Sequence, residues 1–111
     1  MEHEERNVQI RSKMLNEITD IESFVRGRPL CEIMNDKMCQ KAIVMSLINI
    51  GELSKSLTER YLTATPAIPW KAIRGFRNIA AHQYGSIDFE DVYKTIIEDI
   101  PELKRTLQSQ D

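Results

Sequence analysis

Residues Ala42 to Ile50 read Ala-Ile-Val-Met-Ser-Leu-Ile-Asn-Ile, apolar around nearly the whole circumference of a helix. A strand would also fit such a run, but Leu53, Leu57 and Tyr61 continue it at helical spacing. The spacing predicts one long helix from Lys37 to about Leu62, capped by Asp36 and buried on several sides by its neighbours. Gly51 inside it predicts a close backbone approach, either by a neighbouring helix or by a second subunit. Nine residues containing Ser46 and Asn49 are too few and too polar to span a bilayer.

The remaining segments are helical in the same way. Met14, Ile18, Ile21 and Val25, flanked by Val8, Arg11 and Leu15, form an amphipathic stripe that predicts a first helix from about Glu4 to Arg26. Gly27-Arg28-Pro29 ends it. Thr63 to Pro69, with two prolines, reads as a loop. Pro69 suits the first position of a third helix, Trp70 to about Tyr84, and Gly85 suits its stop. Asp88 caps a fourth helix in which Phe89, Val92, Tyr93, Ile96, Ile97, Ile100, Leu103 and Leu107 hold the apolar spacing. Pro101 predicts a kink or a new turn there, and the last residues are expected to fray. Aromatics at only 6%, four glycines and four prolines disfavour many-stranded β architectures. The expectation is a single all-α domain over residues 1–111, an antiparallel bundle of four main helices.

Cys31 and Cys39 are the only cysteines, and the basic and apolar regions of a secretion signal are absent from the N-terminal segment. Two free thiols in a cytoplasmic protein follow, with Cys39 in the core. No histidine lies near either thiol, so zinc spacing is absent; no metal and no cofactor are expected.

Charge is unevenly placed. Fifteen basic and seventeen acidic side chains leave a net charge of −2, so any nucleic-acid site must be a local patch. Pro69 to Tyr84 (PWKAIRGFRNIAAHQY) holds Lys71, Arg74, Arg77 and His82 and no acid, whereas the fourth helix is rich in Asp and Glu. Lys71, Arg74 and Arg77 step along one side of a helix and would face an anion such as phosphate. Around the axis from Arg77, Asn78 lies at about +100°, His82 at about +140° and Tyr84 at about −20°. Asn78 can therefore orient the imidazole, while Arg77 and His82 need long side chains, local unwinding or a two-fold axis to converge.

Metal-free RNA cleavage would use this set: an imidazole moving a proton at the 2′-OH or 5′-oxygen, and an arginine neutralising the phosphate. His3, in an expected mobile terminus, and the absence of a carboxylate cluster beside His82 argue against metal-assisted hydrolysis. The residues also admit plainer readings. His82 can serve as a helix-end histidine, and Lys71 and Arg74 as a solvated face. Trp70, Phe76 and Ile79 suit the core better than a base-stacking platform.

Arg77-Asn78-Ile79-Ala80-Ala81-His82 nonetheless resembles the R-x4-H signature of HEPN-domain ribonucleases, and with Gln83-Tyr84 the R-x4-H-x-Y form of HepT-like toxins. Ile50-Gly51-Glu52, Ile68-Pro69-Trp70 and the segments Ile87-Asp88-Phe89 and Ile100-Pro101-Glu102-Leu103 fall in that family's order and spacing. The resemblance implies a HEPN-type helical homodimer with the two R-x4-H segments facing each other in a shared cleft. It implies a metal-independent endoribonuclease, the toxin of a toxin–antitoxin pair, with Arg77 and His82 catalytic and Asn78 supporting them. Lys71 and Arg74 would guide RNA. The implied partner is a MntA-type minimal nucleotidyltransferase antitoxin that AMPylates Tyr84, placing a bulky anion beside the basic stripe. Two alternatives stay open: a non-catalytic helical module that docks the nucleotidyltransferase and accepts AMP, and a nucleotide-binding basic cleft.

Overall fold

The computed structural model describes residues 2–109, with side chains from residue 5 onward. The His3 side chain and the last two residues lie outside that range. The chain runs α1 (Glu2–Val25), α2 (Leu30–Met34), α3 (Lys37–Ser54), α4 (Glu59–Ala64), α5 (Trp70–Gln83) and α6 (Phe89–Gln108), with a 3-10 turn at Tyr84–Ser86. The described residues contain no strand. The four long helices match the expected bundle. Two short ones were not legible in the sequence.

Helices α1 and α3 are antiparallel, as two contacts along their length and one just beyond the end of α3 show. Asn7 meets Thr58, Glu17 accepts from Asn49 at 3.3 Å, and the Phe24 carbonyl accepts from the Cys39 thiol at 3.7 Å. Helix α6 returns along α1, with Arg11 donating to the Ser109 carbonyl at 2.7 Å and Lys104 to Glu22 at 2.9 Å. Met14, Ile18 and Ile21 of α1, Ile33 of α2, and Ile43 and Ile50 of α3 are almost wholly removed from water. The stripe in α1 behaves as expected except at Val8, which is exposed.

The predicted helix 37–62 breaks after Ser54. Thr58 is extended (φ −71°, ψ 152°) and its hydroxyl accepts from the Tyr61 amide at 3.2 Å, starting α4. The Asn7 amide donates to the same hydroxyl at 3.0 Å and accepts from the Thr58 amide at 3.1 Å. A side-chain partner from α1 thus takes the backbone group that helix propagation would have used. Apolar periodicity could not reveal this, because Leu57 and Tyr61 are buried across the break.

Between α1 and α2 the chain reverses through Arg26 (φ 41°) and Gly27 (φ 71°). Pro29 precedes α2, and the Arg28 guanidinium bridges Glu32 at 3.2 Å and Asp36 at 3.0 Å. Asp36 caps α3 through the Cys39 amide and Asp88 caps α6 through the Glu90 amide, both as expected. Helix α6 continues through Pro101 and no new turn begins. Both Pro101 and Ile97, whose carbonyl the proline leaves without a donor, are exposed, so water can take that acceptor. Cys31 is exposed and Cys39 buried, both as free thiols. Among the described residues, no helix is long and apolar enough to cross a membrane.

Helix packing forms an open chain, α5 on α3, α3 on α1, α1 on α6. Helices α5 and α6 do not close the ring. Between them runs a groove of about 350 Å³, lined by Leu47, Ile50 and Phe76 and, on the α6 side, by Val92, Ile100 and Leu103 together with Asp91, Asp99 and Glu102.

Candidate active site

Helix α5 is fixed at its N-terminal half. Trp70 is buried, its indole N–H donates to the Thr65 hydroxyl at 3.0 Å, and its ring centroid lies 6.3 Å from that of Tyr61. Pro69 stands just outside the first turn and its carbonyl accepts from the Ile73 amide at 3.1 Å. One turn into the helix, a Cβ on Gly51 would come within 2.5 Å of the Ile73 carbonyl oxygen. The close approach expected at Gly51 is therefore made by α5 of the same chain. Further along, Ala80 is buried, but Ile79, expected in the core, is 51% exposed. It faces the open groove instead of a packed neighbour.

The basic residues do not share one environment. Lys71 is exposed, whereas Arg74 is half-buried with its Nε enclosed and without a hydrogen-bond partner among the described residues. Arg77 is exposed, with its Nε 3.9 Å from Oε2 of Glu52 on α3. That carboxylate also takes a hydrogen bond from Lys55 Nζ at 2.9 Å. The Lys55 hydrogen bond leads in holding the Glu52 carboxyl below the ordinary carboxylate range; partial burial opposes it, and Arg77 adds a weaker Coulombic pull.

The Asn78 and His82 side chains are exposed and make no hydrogen bond or ion pair among the described residues, so the amide does not hold the imidazole here. His82 sits in the last turn of α5. Beyond it Gln83 leaves helical geometry (φ −137°, ψ 31°), and Tyr84 to Ser86 form the 3-10 turn, closed by the Ile87 amide donating to the Tyr84 carbonyl at 3.1 Å. The unwinding begins two residues before Gly85, which does not adopt a positive φ. Tyr84 thus departs from the straight-helix angle and presents an exposed ring.

One chain therefore carries an exposed arginine beside a carboxylate and a free imidazole one and a half turns on. No group of three or more His, Cys, Asp or Glu side chains among the described residues is arranged to hold a metal ion. The Glu52 contact was not legible from the basic segment alone. Its signals were Gly51, whose close helix crossing brings the next residue toward α5, and the resemblance of Ile50-Gly51-Glu52 noted in the sequence.

A family model described as ribonuclease HepT-like matches residues 14–109. The chain belongs to the ribonuclease HepT-like family. Members similar to it include a Methanocaldococcus jannaschii protein whose name gives it as an inferred RNase, 32% identical over 95 residues, covering 86% of this chain and 87% of that one. A Thermococcus cleftensis protein whose name gives it as an inferred ribonuclease HepT is 36% identical over 84 residues, 76% of each chain. A further inferred RNase, from Caldanaerobacter subterraneus, is 31% identical over 84 residues, 76% of this chain and 75% of its own. No solved structure matches. This HepT-like chain carries the R-x4-H-x-Y residues on α5 and the turn after it, the segment least enclosed by the core.

Proposed function

We propose that this HepT-like protein is an endoribonuclease that cuts RNA without a metal, acting as the toxin of a toxin–antitoxin pair. The observation that carries the reading is the state of α5: Asn78 and His82 stand exposed and unpaired beside Arg77. A buried or hydrogen-bonded histidine would suit a structural role; a free one suits proton transfer. His82 would take the proton of a 2′-OH as that oxygen attacks phosphorus, or give one to the departing 5′-oxygen. Arg77 would neutralise the phosphate, and Lys71 and Arg74 would draw RNA toward it.

A single imidazole cannot be base and acid at once, so the reaction is better served by two copies sharing a cleft. The open groove supports this arrangement. Ile79 is exposed along it, and the α5 wall (Ala72, Ile73, Phe76 and Ile79) is apolar, a surface that a second copy could cover in a two-fold contact. The exposed ring of Tyr84 on its 3-10 turn supports the modification reading, in which the phenol oxygen attacks the α-phosphate of ATP held by a MntA-type nucleotidyltransferase, pyrophosphate leaves, and the AMP now on Tyr84 silences the site.

The test is purified His82→Ala and Arg77→Ala protein against labelled single-stranded RNA with a chelator present. Both variants should lose at least a hundredfold in cleavage rate while keeping wild-type helix content. Cleavage surviving in either would sink the assignment.

A further inference from the structure

On α3, Gly51 lets the backbones of α3 and α5 touch, and the next residue, Glu52, is thereby set against α5 one turn beyond Ile73, where Arg77 stands. The contact is made to one edge of the guanidinium. Glu52 Oε2 lies 3.9 Å from Nε, an ion pair without hydrogen-bond geometry, and the Arg77 side chain is 57% exposed. An arginine has two edges able to receive an oxyanion, and a carboxylate beside Nε leaves the terminal fork free for phosphate. The same Oε2 accepts a hydrogen bond from Lys55 Nζ at 2.9 Å, an exposed contact between neighbours on one turn of α3 and its cap.

We propose that Glu52 is a positioning residue, holding the Arg77 guanidinium by its Nε side so that its terminal fork is presented to the scissile phosphate. The proposal rests on the ribonuclease reading above. A long, exposed arginine otherwise samples many rotamers, and each one that points away lowers the productive fraction. The carboxylate also repels RNA slightly, so its removal should affect turnover and binding in opposite directions. Because exposed ion pairs contribute little to folding, the effect is separable from stability.

The experiment measures kcat and KM on a mixed-sequence single-stranded RNA, together with the ¹⁵N-detected Arg77 Nε–H signal, identified by its loss in Arg77→Lys. In Glu52→Ala, kcat should fall about tenfold with KM unchanged or lower, and the Nε signal should shift and broaden. Glu52→Gln keeps an oxygen for Nε and should recover part of both. Lys55→Ala should stay within about twofold of wild type, whereas a merely structural Glu52–Lys55 pair would make it mimic Glu52→Ala. The proposal stands only if kcat and the Nε signal both respond to Glu52→Ala. A response in one alone, in neither, or an equal loss in Lys55→Ala overturns it. Absence of cleavage by the unaltered protein overturns the ribonuclease reading itself, and the positioning role falls with it even where the Nε signal moves.

Discussion

Gly51 and Ile73 meet backbone to backbone, so that a Cβ at position 51 would stand 2.5 Å from the Ile73 carbonyl oxygen. A backbone carbonyl within α5 cannot swing aside as a side-chain tip can. Gly51→Ala should therefore separate α3 from α5 despite the better helix propensity of alanine, at a net cost of about 1–3 kcal/mol. Thermal unfolding monitored by circular dichroism would read this as a fall of several degrees. An unchanged or raised midpoint would show that the helices slide apart freely.

Asn7 joins α1 to the start of α4 by exchanging two hydrogen bonds with Thr58, at 3.0 and 3.1 Å. Asn7→Ala leaves the Thr58 amide without its partner and should cost about 1–2 kcal/mol, more than a typical surface substitution. Urea unfolding should show a lower midpoint with an unchanged slope.

Acid should loosen the junction between α2 and α3. The Cys39 amide and the Arg28 guanidinium hold the Asp36 carboxyl below its ordinary range. A carboxylate whose folded value is depressed adds stability that is present above its unfolded value and is lost as pH falls through the folded one. The midpoint of wild type should drop from about pH 5 downward, and the deficit of Asp36→Asn seen at pH 7 should shrink by pH 3.

The exposed side of α5 gives the oligomer test. If a second copy seats on Ile79, then Ile79→Asp should convert a dimer of about twice 12.9 kDa into a monomer in sedimentation, at micromolar protein. Cleavage should fall with it, because each shared site loses half its groups. A monomeric wild-type chain that still cleaves RNA would refute the shared cleft.

Tyr84→Phe removes the phenol oxygen and nothing that packs in the core, since the ring is exposed. Intact mass after expression beside the proposed MntA-type nucleotidyltransferase should show added AMP on wild type and none on Tyr84→Phe. The variant should still cleave RNA and resist silencing. AMP found on the variant would place the modification elsewhere.

Much of the fold was legible because burial imposes a period. The apolar stripes of α1, α3 and α6 and the caps at Asp36 and Asp88 stand where spacing and side-chain chemistry put them, apart from Val8, Met45 and Ile97, which are exposed. The break at residues 55–58 was hidden, since it depends on Asn7, fifty-one positions away, and not on any local breaker. Ile79 misled for the opposite reason. Its apolar character is real, but the surface it serves is not filled from within the chain. At the site, helical angles separated Arg77 from His82 but said nothing of Glu52, which only tertiary contact brings alongside.

Helix α5 buries only Trp70 and Ala80 to the full, where α3 buries seven residues and α6 six. The residues proposed to act on RNA are consequently almost absent from the packing that holds the molecule together. Inheritance of the fold and inheritance of the chemistry are thus carried by different positions. A lineage could exchange Arg77, Asn78 or His82 and keep a well-folded protein, so folding would place little check on the loss or retuning of its activity.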